Sequence, residues 1–240
     1  MPNFFAKINE NNVVLLSKAD QMHIKSSLRM KEGDEITIID ISNNRLKHTC
    51  KIINNGNSVS AVVCKSEQNN YEPKLEVTLY MSIPKAEKLE FIIQKSIELG
   101  VHKIVVFPAN RSVSRPDTSK KTIRWQKIAE EAAKQCGRGI IPQIMPCKSL
   151  NDALLLSTED LKFILYEEEH DFSIKQMLNV KTPNSIGFFT GPEGGFEKSE
   201  IEAANSSGIR SVSLGNRILR CETVPITALS IIMYSFNEMG

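Results

Sequence analysis

The sequence lacks the features that define several large classes of protein. Its 240 residues include only five cysteines and four histidines, and no two cysteines form a CxxC pair. No cysteine lies at zinc-ligand spacing from a histidine, so the sequence predicts no metal site. No apolar run is long enough to span a bilayer, and the first ten residues lack the basic-then-apolar plan of a signal peptide. We therefore expect a cytoplasmic protein whose thiols are reduced.

An excess of one charge is also missing from the chain as a whole. The 30 basic and 28 acidic residues give a net charge of +2, which indicates no particular partner. Residues 102–148 are the exception, with ten Lys or Arg and three Asp or Glu. Such a cluster is typical of a surface that contacts phosphates, although any one lysine is more simply part of a solvated helix face. The basic members are Lys103, Arg111, Arg115, Lys120, Lys121, Arg124, Lys127, Lys134, Arg138 and Lys148.

The first seventy residues have the composition of a β-rich domain. Four stretches rich in β-branched or other apolar residues predict strands. They are Val13–Leu16, Glu35–Ile41, Lys47–Ile53 and Val59–Val63. Ser17 is placed to cap a short helix that runs through His23 to Leu28. The pattern predicts a small barrel with one helix, and the polar, proline-ended stretch 66–73 places a domain boundary after residue 72.

Residues 73–240 change to an alternation of strands and helices. The predicted strands are Leu75–Met81, Lys103–Phe107, Phe163–Tyr166, Ile186–Thr190 and Val212–Leu214. The predicted helices are Glu87–Leu99, Thr122–Cys136, Glu197–Ala204 and Val224–Phe236. Short apolar strands that alternate with helices indicate a parallel sheet covered on both faces, so the fold class is α/β. We expect Trp125 in the core and Glu167–Glu169 in a solvated turn.

Ligands bind such sheets at the loops that follow the carboxyl ends of the strands, and two of these loops are unusual. The first, at 190–196, has the sequence TGPEGGF, with three glycines between a strand and a helix. Glycines allow positive φ and close approach of the backbone to a nucleoside, although a tight structural turn explains them equally well. The loop matches neither the Walker pattern nor the GxGxxG fingerprint, which argues against a nucleotide hydrolase.

The second loop, at 213–223, has the sequence SLGNRILRCET. Its Ile218-Leu219 pair is too apolar for a solvated loop. One interpretation is a buried connection in which Glu222-Thr223 caps the last helix. The other is an apolar floor, beside which Arg217 and Arg220 face an anionic partner. The residues alone favour neither interpretation.

Together and in this order, GPEGGF at 191–196 and SLGNRILRCET at 213–223 resemble the hallmark of the ribosomal small subunit methyltransferase E family, which belongs to the SPOUT class. Matching pieces occur along nearly the whole chain. They are His23 with Leu28-Arg29 and Gly33-Asp34, Pro84-Lys85, Gln94-Lys95, Glu98–Val101, Arg111-Ser112, Arg124-Trp125 and Glu131–Arg138. Cys221 stands where the family usually has threonine, and Val224-Pro225 replaces a pair of small residues.

The resemblance implies a PUA-like, RNA-binding β-barrel over residues 1–72 and a methyltransferase domain with a deep trefoil knot over residues 73–240. It also implies a homodimer that methylates N3 of a uridine in the decoding region of 16S rRNA, with S-adenosylmethionine as methyl donor. We expect the assembled 30S subunit as substrate, because one flipped uridine needs a shaped context. The implied cofactor-binding residues are Leu165, Tyr166, Thr190, Gly191, Gly194, Gly195, Ser213, Leu214, Gly215, Ile218 and Leu219.

The implied reaction asks for particular side chains. Uridine N3 is a weakly acidic imide, so its methylation needs proton removal or stabilisation of the developing anion. A charged arginine cannot be the base, but it can stabilise negative charge on the carbonyl oxygens of the uracil. We therefore assign Arg220 to that role and Glu222 or Glu193 to proton acceptance. The residues expected to bind RNA are Arg29, Lys85, Arg111, Arg124, Arg138 and Arg217.

Two rival functions stay open at this stage. A non-catalytic RNA-binding or ribosome-assembly module would keep the fold without turnover, and binding of S-adenosylmethionine separates it from an enzyme. A SPOUT methyltransferase with another RNA target, such as transfer RNA, would keep both fold and cofactor. The barrel domain and the full run of family motifs argue against this second rival by analogy.

Overall fold

The structure of the protein, a computed structural model, describes residues 1–43, 46–55, 58–85, 88–112 and 118–239. Arg115 of the basic cluster and Glu87, the first residue of a predicted helix, lie outside these ranges. The chain forms two compact units, one of Met1–Glu72 with Ala133–Ile141 and one of Pro73–Ala132 with Pro142–Gly240. Within the described ranges, no helix is long and apolar enough to cross a membrane.

A closed five-stranded barrel makes up most of the first unit, which confirms the predicted barrel. Its strands are β1 (Asn3–Ile8), β2 (Val13–Leu15), β3 (Glu35–Asp40), β4 (Leu46–Asn55) and β5 (Ser58–Gln68). They close in the order β1-β2-β5-β4-β3, in which β1 pairs parallel with β3 and the other pairs are antiparallel. Alternate side chains, among them Phe4, Ile36, Ile38 and Ala61, fill the barrel core.

The sequence pattern predicted the helix of the barrel but not the strand β1. Only Phe4 and Ala6 of β1 are fully buried, so the strand has too short an apolar pattern to stand out. The predicted cap is confirmed, since the Ser17 hydroxyl accepts the Asp20 N–H at 3.1 Å. The helix α1 (Lys18–Met22) begins there, and a π-helical turn at His23–Ser27 continues it.

A six-stranded parallel sheet forms the centre of the second unit, as the alternation of strands and helices predicts. Its strands are β6 (Glu76–Ser82), β7 (Lys103–Phe107), β8 (Gln143–Pro146), β9 (Leu161–Leu165), β10 (Ser185–Thr190) and β11 (Arg210–Val212). Their order is β11-β9-β10-β6-β7-β8, and every pair is parallel. The sequence did not predict β8, an edge strand with one fully buried residue. The predicted strand at Val212–Leu214 begins two residues later than β11 does.

Helices cover both faces of this sheet. They are α2 (Lys88–Glu98), α3 (Thr118–Cys136), α4 (Leu150–Leu156), α5 (Ile174–Met177), α6 (Lys198–Ser206) and α7 (Thr223–Ser235). The central strands β6 and β10 are buried along nearly their whole length, because apolar helix faces pack on each side. The short helices α4 and α5 were not predicted, since seven and four residues give no helical period to detect. Trp125 is buried, as expected.

The end of α3 and the residues after it belong to the first unit. The Asn3 side-chain amide donates to the Lys134 carbonyl at 2.9 Å, and the Lys134 ammonium lies 2.9 Å from the Asp20 carboxylate. The Arg138 guanidinium is buried against Glu72. These contacts join residues far apart in the chain, so a linear search for boundaries could not reveal them.

Candidate active site

A cavity of about 260 Å³ lies at the carboxyl ends of β9, β10 and β11. These three strands are neighbours in the sheet, so the loops that leave them meet at one edge. The lining residues are Leu165, Tyr166, Glu167 and His170 after β9, Gly191–Gly195 after β10, and Ser213–Leu219, Cys221 and Val224 after β11. The two loops singled out in the sequence therefore form one site.

The glycine loop after β10 is packed too tightly for side chains. Gly195 has a φ of +65°, and a Cβ there would overlap the carboxylate of Glu167. A Cβ on Gly191 would lie 3.3 Å from the backbone of Gly195, and one on Gly194 would lie 3.2 Å from the Arg111 side chain. Gly195 thus brings backbone to the cavity wall in a conformation that other residues rarely adopt, and Gly191 and Gly194 allow close approach of neighbouring atoms.

The predicted cofactor-binding residues lie around this cavity, with one exception. All except Thr190 line it, although their contact with a cofactor stays a prediction. Thr190 is fully buried, and its hydroxyl donates to the Met81 sulfur at 2.8 Å, because it is the last residue of a central strand. Its side chain is therefore not part of the cavity lining.

Neither interpretation of the second loop describes it fully. Ile218 is 90% exposed and Arg217 is also exposed, so the segment is not a buried connection. Of the Ile218-Leu219 pair, only Leu219 is partly buried at the cavity, so one of the two residues expected in the apolar floor is in place. Glu222 stands at the N-cap of α7, but its side chain makes no capping hydrogen bond.

Glu222 instead belongs to a cluster that the sequence reading missed. The Lys88 ammonium, at the start of α2, lies 3.1 Å from Glu193 Oε1 and 3.2 Å from Glu222 Oε2. The backbone N–H of Lys85 donates to both oxygens of Glu193, at 3.1 and 3.2 Å. Segments that follow β6, β10 and β11 are thereby tied together. Nothing in the linear pattern distinguishes Lys88 from Lys85, the other lysine near the start of that helix.

The electrostatics of the cluster keep both carboxylates charged. Burial raises the pKa of the Glu193 carboxyl, but its own backbone N–H, Lys88 and the Lys85 N–H outweigh burial, so the pKa lies below its ordinary value. The pKa of Glu222 is lowered by its own backbone N–H, by the Cys221 thiol and by Lys88. The hydrogen bonds to Glu193 and Glu222 raise the pKa of Lys88. Both predicted proton acceptors are therefore weak bases.

Cys221 lies beside this cluster as a protonated thiol. Burial raises its pKa to about 12, and the thiol donates to Glu222 Oε2 at 3.2 Å. A buried thiol with a raised pKa is a poor nucleophile, so Cys221 acts here as a hydrogen-bond donor. Arg220, the residue before it, is exposed and does not line the cavity in this conformation.

The predicted RNA-binding residues fall into two groups. Arg138 must be corrected, because it is only 3% exposed and its guanidinium is paired with Glu72 rather than presented on the surface. Arg111 donates from Nη1 to the Gly194 carbonyl at 2.8 Å, which makes it a support of the glycine loop. Arg124 is exposed but lies 2.7 Å from the Glu90 carboxylate. Arg29, Lys85 and Arg217 are also exposed, and their contact with RNA stays a prediction.

The segment after β9 also contributes more than was expected. Glu167 and Glu168 form an exposed turn, as predicted, and Glu167 also lines the cavity with its carboxylate against Gly195. Its neighbour Tyr166 lines the cavity as predicted, and its hydroxyl donates to Glu168 at 2.8 Å. The acidic run gave a signal in the sequence, but only the packing of the glycine loop shows which of its members reaches the site.

The fold and the site define a class of RNA-modifying enzyme. A model of the RNA methyltransferase domain family matches residues 71–233, well over half of the chain. The chain is 34% identical to the ribosomal RNA small subunit methyltransferase E of Bacillus subtilis, and the match covers 95% of this chain and 92% of that relative. The chain therefore belongs to the ribosomal RNA small subunit methyltransferase E family.

Two solved structures share the whole fold. One is a ribosomal RNA small subunit methyltransferase E from Neisseria gonorrhoeae bound to S-adenosylmethionine, with a TM-score of 0.86, 28% identity and coverage of 98% of this chain and 97% of that one. The other, from Legionella pneumophila, is described as a methyltransferase in complex with S-adenosylmethionine. Its TM-score is 0.87, with 28% identity and 97% coverage of both chains. The family resemblance seen in the sequence and the barrel-plus-sheet fold are confirmed.

Proposed function

We propose that this protein transfers a methyl group from S-adenosylmethionine to N3 of a uridine in the decoding region of 16S rRNA, with the 30S subunit as substrate. The observation that carries the proposal is the cavity formed by the two family loops. Relatives with this fold bind S-adenosylmethionine, and relatives of this sequence are named as methyltransferases of the small ribosomal subunit RNA. The N3 position and the decoding region come from the family resemblance.

The residues of the cavity fit this methyl donor. Leu165, Leu214 and Leu219 supply apolar surface for an adenine, and the glycine loop offers backbone groups that no Cβ covers. Glu167 and Glu193 provide acceptors for the polar parts of the ligand. Apolar surface combined with convergent polar groups is the usual form of a cofactor site.

When bound, the methyl donor supplies an electrophilic methyl group on a sulfonium. In the transfer, a bond forms between N3 and the methyl carbon, the carbon–sulfur bond breaks with its electron pair going to sulfur, and N3 loses its proton. We propose that Arg220 stabilises the negative charge that develops on the uracil oxygens. Its exposed position leaves its guanidinium accessible to an RNA base held over the cavity.

Glu193 and Glu222 are the proposed proton acceptors, although hydrogen bonds from their own backbone N–H groups, together with Lys88, hold the pKa of each carboxyl below its ordinary value. A base with a lowered pKa accepts a proton from an imide less readily. The Glu222→Gln variant tests whether Glu222 accepts the proton. Methylation at the normal rate in this variant would remove Glu222 as the acceptor and leave Glu193 or water to take the proton.

RNA binding is assigned to the exposed cations of both units. Arg217 lies at the rim of the cavity, and Arg29 is exposed on the barrel, which we propose to be PUA-like and RNA-binding. We also propose the trefoil knot and the homodimer of the family for this chain. Ile218 supports a partner subunit, since an apolar side chain that is 90% exposed at the edge of a site gains stability when it is covered.

The experiment that tests the function is methyl transfer from labelled S-adenosylmethionine into 30S subunits that lack the modification, with the methylated nucleoside identified. We expect 3-methyluridine, and less product from free 16S rRNA than from 30S subunits. Label in another nucleoside or in transfer RNA would overturn the target. Binding of the donor without transfer to rRNA would overturn the target but keep the methyltransferase, whereas no binding at all would favour a ribosome-assembly module.

A further inference from the structure

Three side chains at the cavity form a cluster with one excess negative charge. The Lys88 ammonium lies between the carboxylates of Glu193 and Glu222, at 3.1 and 3.2 Å. One ammonium cannot neutralise two carboxylates, so these three side chains, called here the Lys88 triad, carry a net charge of −1. Both carboxyls have a pKa below its ordinary value, which keeps them ionised near neutral pH.

The triad lies where a bound ligand would sense it. Glu193 lines the cavity. Glu222 lies in the chain between two lining residues, Cys221 and Val224. Because the cavity measures about 260 Å³, a charge bound inside it lies within roughly one Debye length, about 8 Å at physiological ionic strength, of Glu193. The cavity walls exclude part of the solvent, so this field is screened less than one on an open surface.

Other charged residues at the cavity do not cancel the triad. Glu167 and Arg217 both line it, and their formal charges oppose each other. Arg111 lies outside the lining and is engaged with the Gly194 carbonyl and, at 3.8 Å, with Glu197. The charged residues that line the cavity, taken with Lys88 and Glu222, therefore carry a net formal charge of −1.

We propose that the Lys88 triad distinguishes the cationic methyl donor from its neutral thioether product. The inference rests on the proposed function. The sulfur of S-adenosylmethionine carries one positive charge, whereas S-adenosylhomocysteine carries none there and has the same other groups. A net negative field favours the donor before transfer and releases the product afterwards. For one charge screened by partly exposed surroundings, we expect a preference of about fivefold from this source.

Lys88 is a positioning residue in this arrangement. Two carboxylates held close together repel each other, and the ammonium between them offsets that repulsion. It also fixes the loops after β10 and β11 relative to α2. Removal of the ammonium leaves the negative charge of Glu193 and Glu222 uncompensated. The charge model therefore predicts opposite effects for substitutions of Lys88 and of its two partners.

The test is calorimetric titration of the full-length protein with S-adenosylmethionine and with S-adenosylhomocysteine. The quantity compared is the ratio of the product Kd to the donor Kd. We expect this ratio to fall about three- to fivefold in Glu193→Gln and in Glu222→Gln and to rise in Lys88→Met. It should stay constant in Glu202→Gln, which removes an exposed carboxylate from α6 away from the cavity lining. In the wild type, the ratio should decrease as salt is added.

A purely structural role would weaken both ligands alike and leave the ratio unchanged. An unchanged ratio in the two glutamine variants, or a lower ratio in Lys88→Met, overturns the inference. If one glutamine variant does not fold, the other decides the result. If the wild-type protein methylates rRNA but the substitutions leave the Kd ratio unchanged, the proposed role of the triad is refuted and the proposed function stands. One that binds neither ligand refutes the proposed function as well.

Discussion

The guanidinium of Arg138 donates two hydrogen bonds to the carboxylate of Glu72, at 3.1 Å from Nε and 2.8 Å from Nη2. The same carboxylate accepts the backbone N–H groups of Gly139 and Ile140. Glu72 is the residue at which the sequence placed the end of the barrel domain. The pair therefore fastens the segment after α3 within the first unit, instead of offering a cation to RNA.

Replacing Arg138 by Met should destabilise the protein. The substitution leaves the Glu72 carboxylate without its buried partner, which we expect to cost about 3 kcal/mol of unfolding free energy. Urea unfolding followed by circular dichroism measures this loss. Arg29→Met, at an exposed position, serves as the control and should change stability by less than about 0.5 kcal/mol. An Arg138→Met protein of normal stability with weakened RNA binding would restore the surface role of Arg138.

Replacing Gly195 by Ala should impair the cofactor site more than the fold. Gly195 and Gly208 both have positive φ, +65° and +76°, so alanine at either should cost about 1 kcal/mol. Only at Gly195 does the new Cβ meet a side chain, the carboxylate of Glu167. We expect S-adenosylmethionine affinity to fall at least about tenfold in Gly195→Ala and to stay unchanged in Gly208→Ala, as measured by calorimetry. Equal affinities would mean that the ligand does not contact this loop.

The Thr190→Val variant tests the buried hydroxyl at the end of β10. Because the hydroxyl donates to Met81 inside the sheet, its loss should lower the unfolding free energy by about 1 kcal/mol. Cofactor affinity should remain within about twofold of wild type. A large loss of affinity with unchanged stability would show that Thr190 binds the ligand with its side chain after all.

Arg220→Ala should reduce methyl transfer while cofactor affinity stays normal. If Arg220 stabilises the developing anion, its removal should lower kcat about a hundredfold, which is typical for the loss of one such donor. The matched variant Arg217→Ala changes an exposed arginine three positions earlier and should raise the KM for RNA with a smaller effect on kcat. The two parameters come from initial rates with varied 30S concentration. A normal kcat in Arg220→Ala would exclude the assigned role.

The dependence of the unfolding free energy on pH should change with the ionisation of Glu193 and Glu222 in the Lys88 triad. The pKa values of Glu193 and Glu222 are lowered in the folded protein from an ordinary value of 4.5. A carboxyl with a lowered folded pKa contributes stability above its unfolded pKa, and that contribution disappears as pH falls through the folded pKa. Stability should therefore decline below about pH 4.5.

The comparison that isolates this effect is with the Glu193→Gln/Glu222→Gln double variant. Its acid decline should be shallower, because two of the groups that take up protons on unfolding are absent. Urea midpoints measured between neutral and acid pH give the two profiles. Parallel profiles would indicate that the two carboxyls titrate alike in the folded and unfolded protein.

Local sequence patterns predicted a large part of the fold. Period-two and continuous apolar stretches identified most strands, and Ser17 marked the beginning of α1 through its own hydroxyl. The missed elements, such as β1, β8 and α5, contain few buried residues and therefore show little periodicity. The two glycine-containing loops were found because their composition is unusual for strand-to-helix connections.

The roles of single charged residues could not be predicted from local sequence patterns. Arg138 and Lys88 are ordinary basic residues in the sequence, and their environments differ only through partners distant in the chain. Glu72 lies 66 positions from Arg138, and Cys221, next to Glu222, lies 133 positions from Lys88. No local rule can indicate whether such a cation is paired or exposed, because pairing depends on which strand ends become neighbours.

The sequence by itself determined the α/β class, the barrel, the family and the two loops that form the site, since each of these depends on local composition and order. The tertiary structure alone decided that Thr190 is buried against Met81, that Glu167 reaches Gly195 and that Lys88 joins Glu193 to Glu222. The physical reason is that burial and electrostatic pairing are set by the order of the strands in the sheet, β11-β9-β10-β6-β7-β8, and this order differs from their order in the chain.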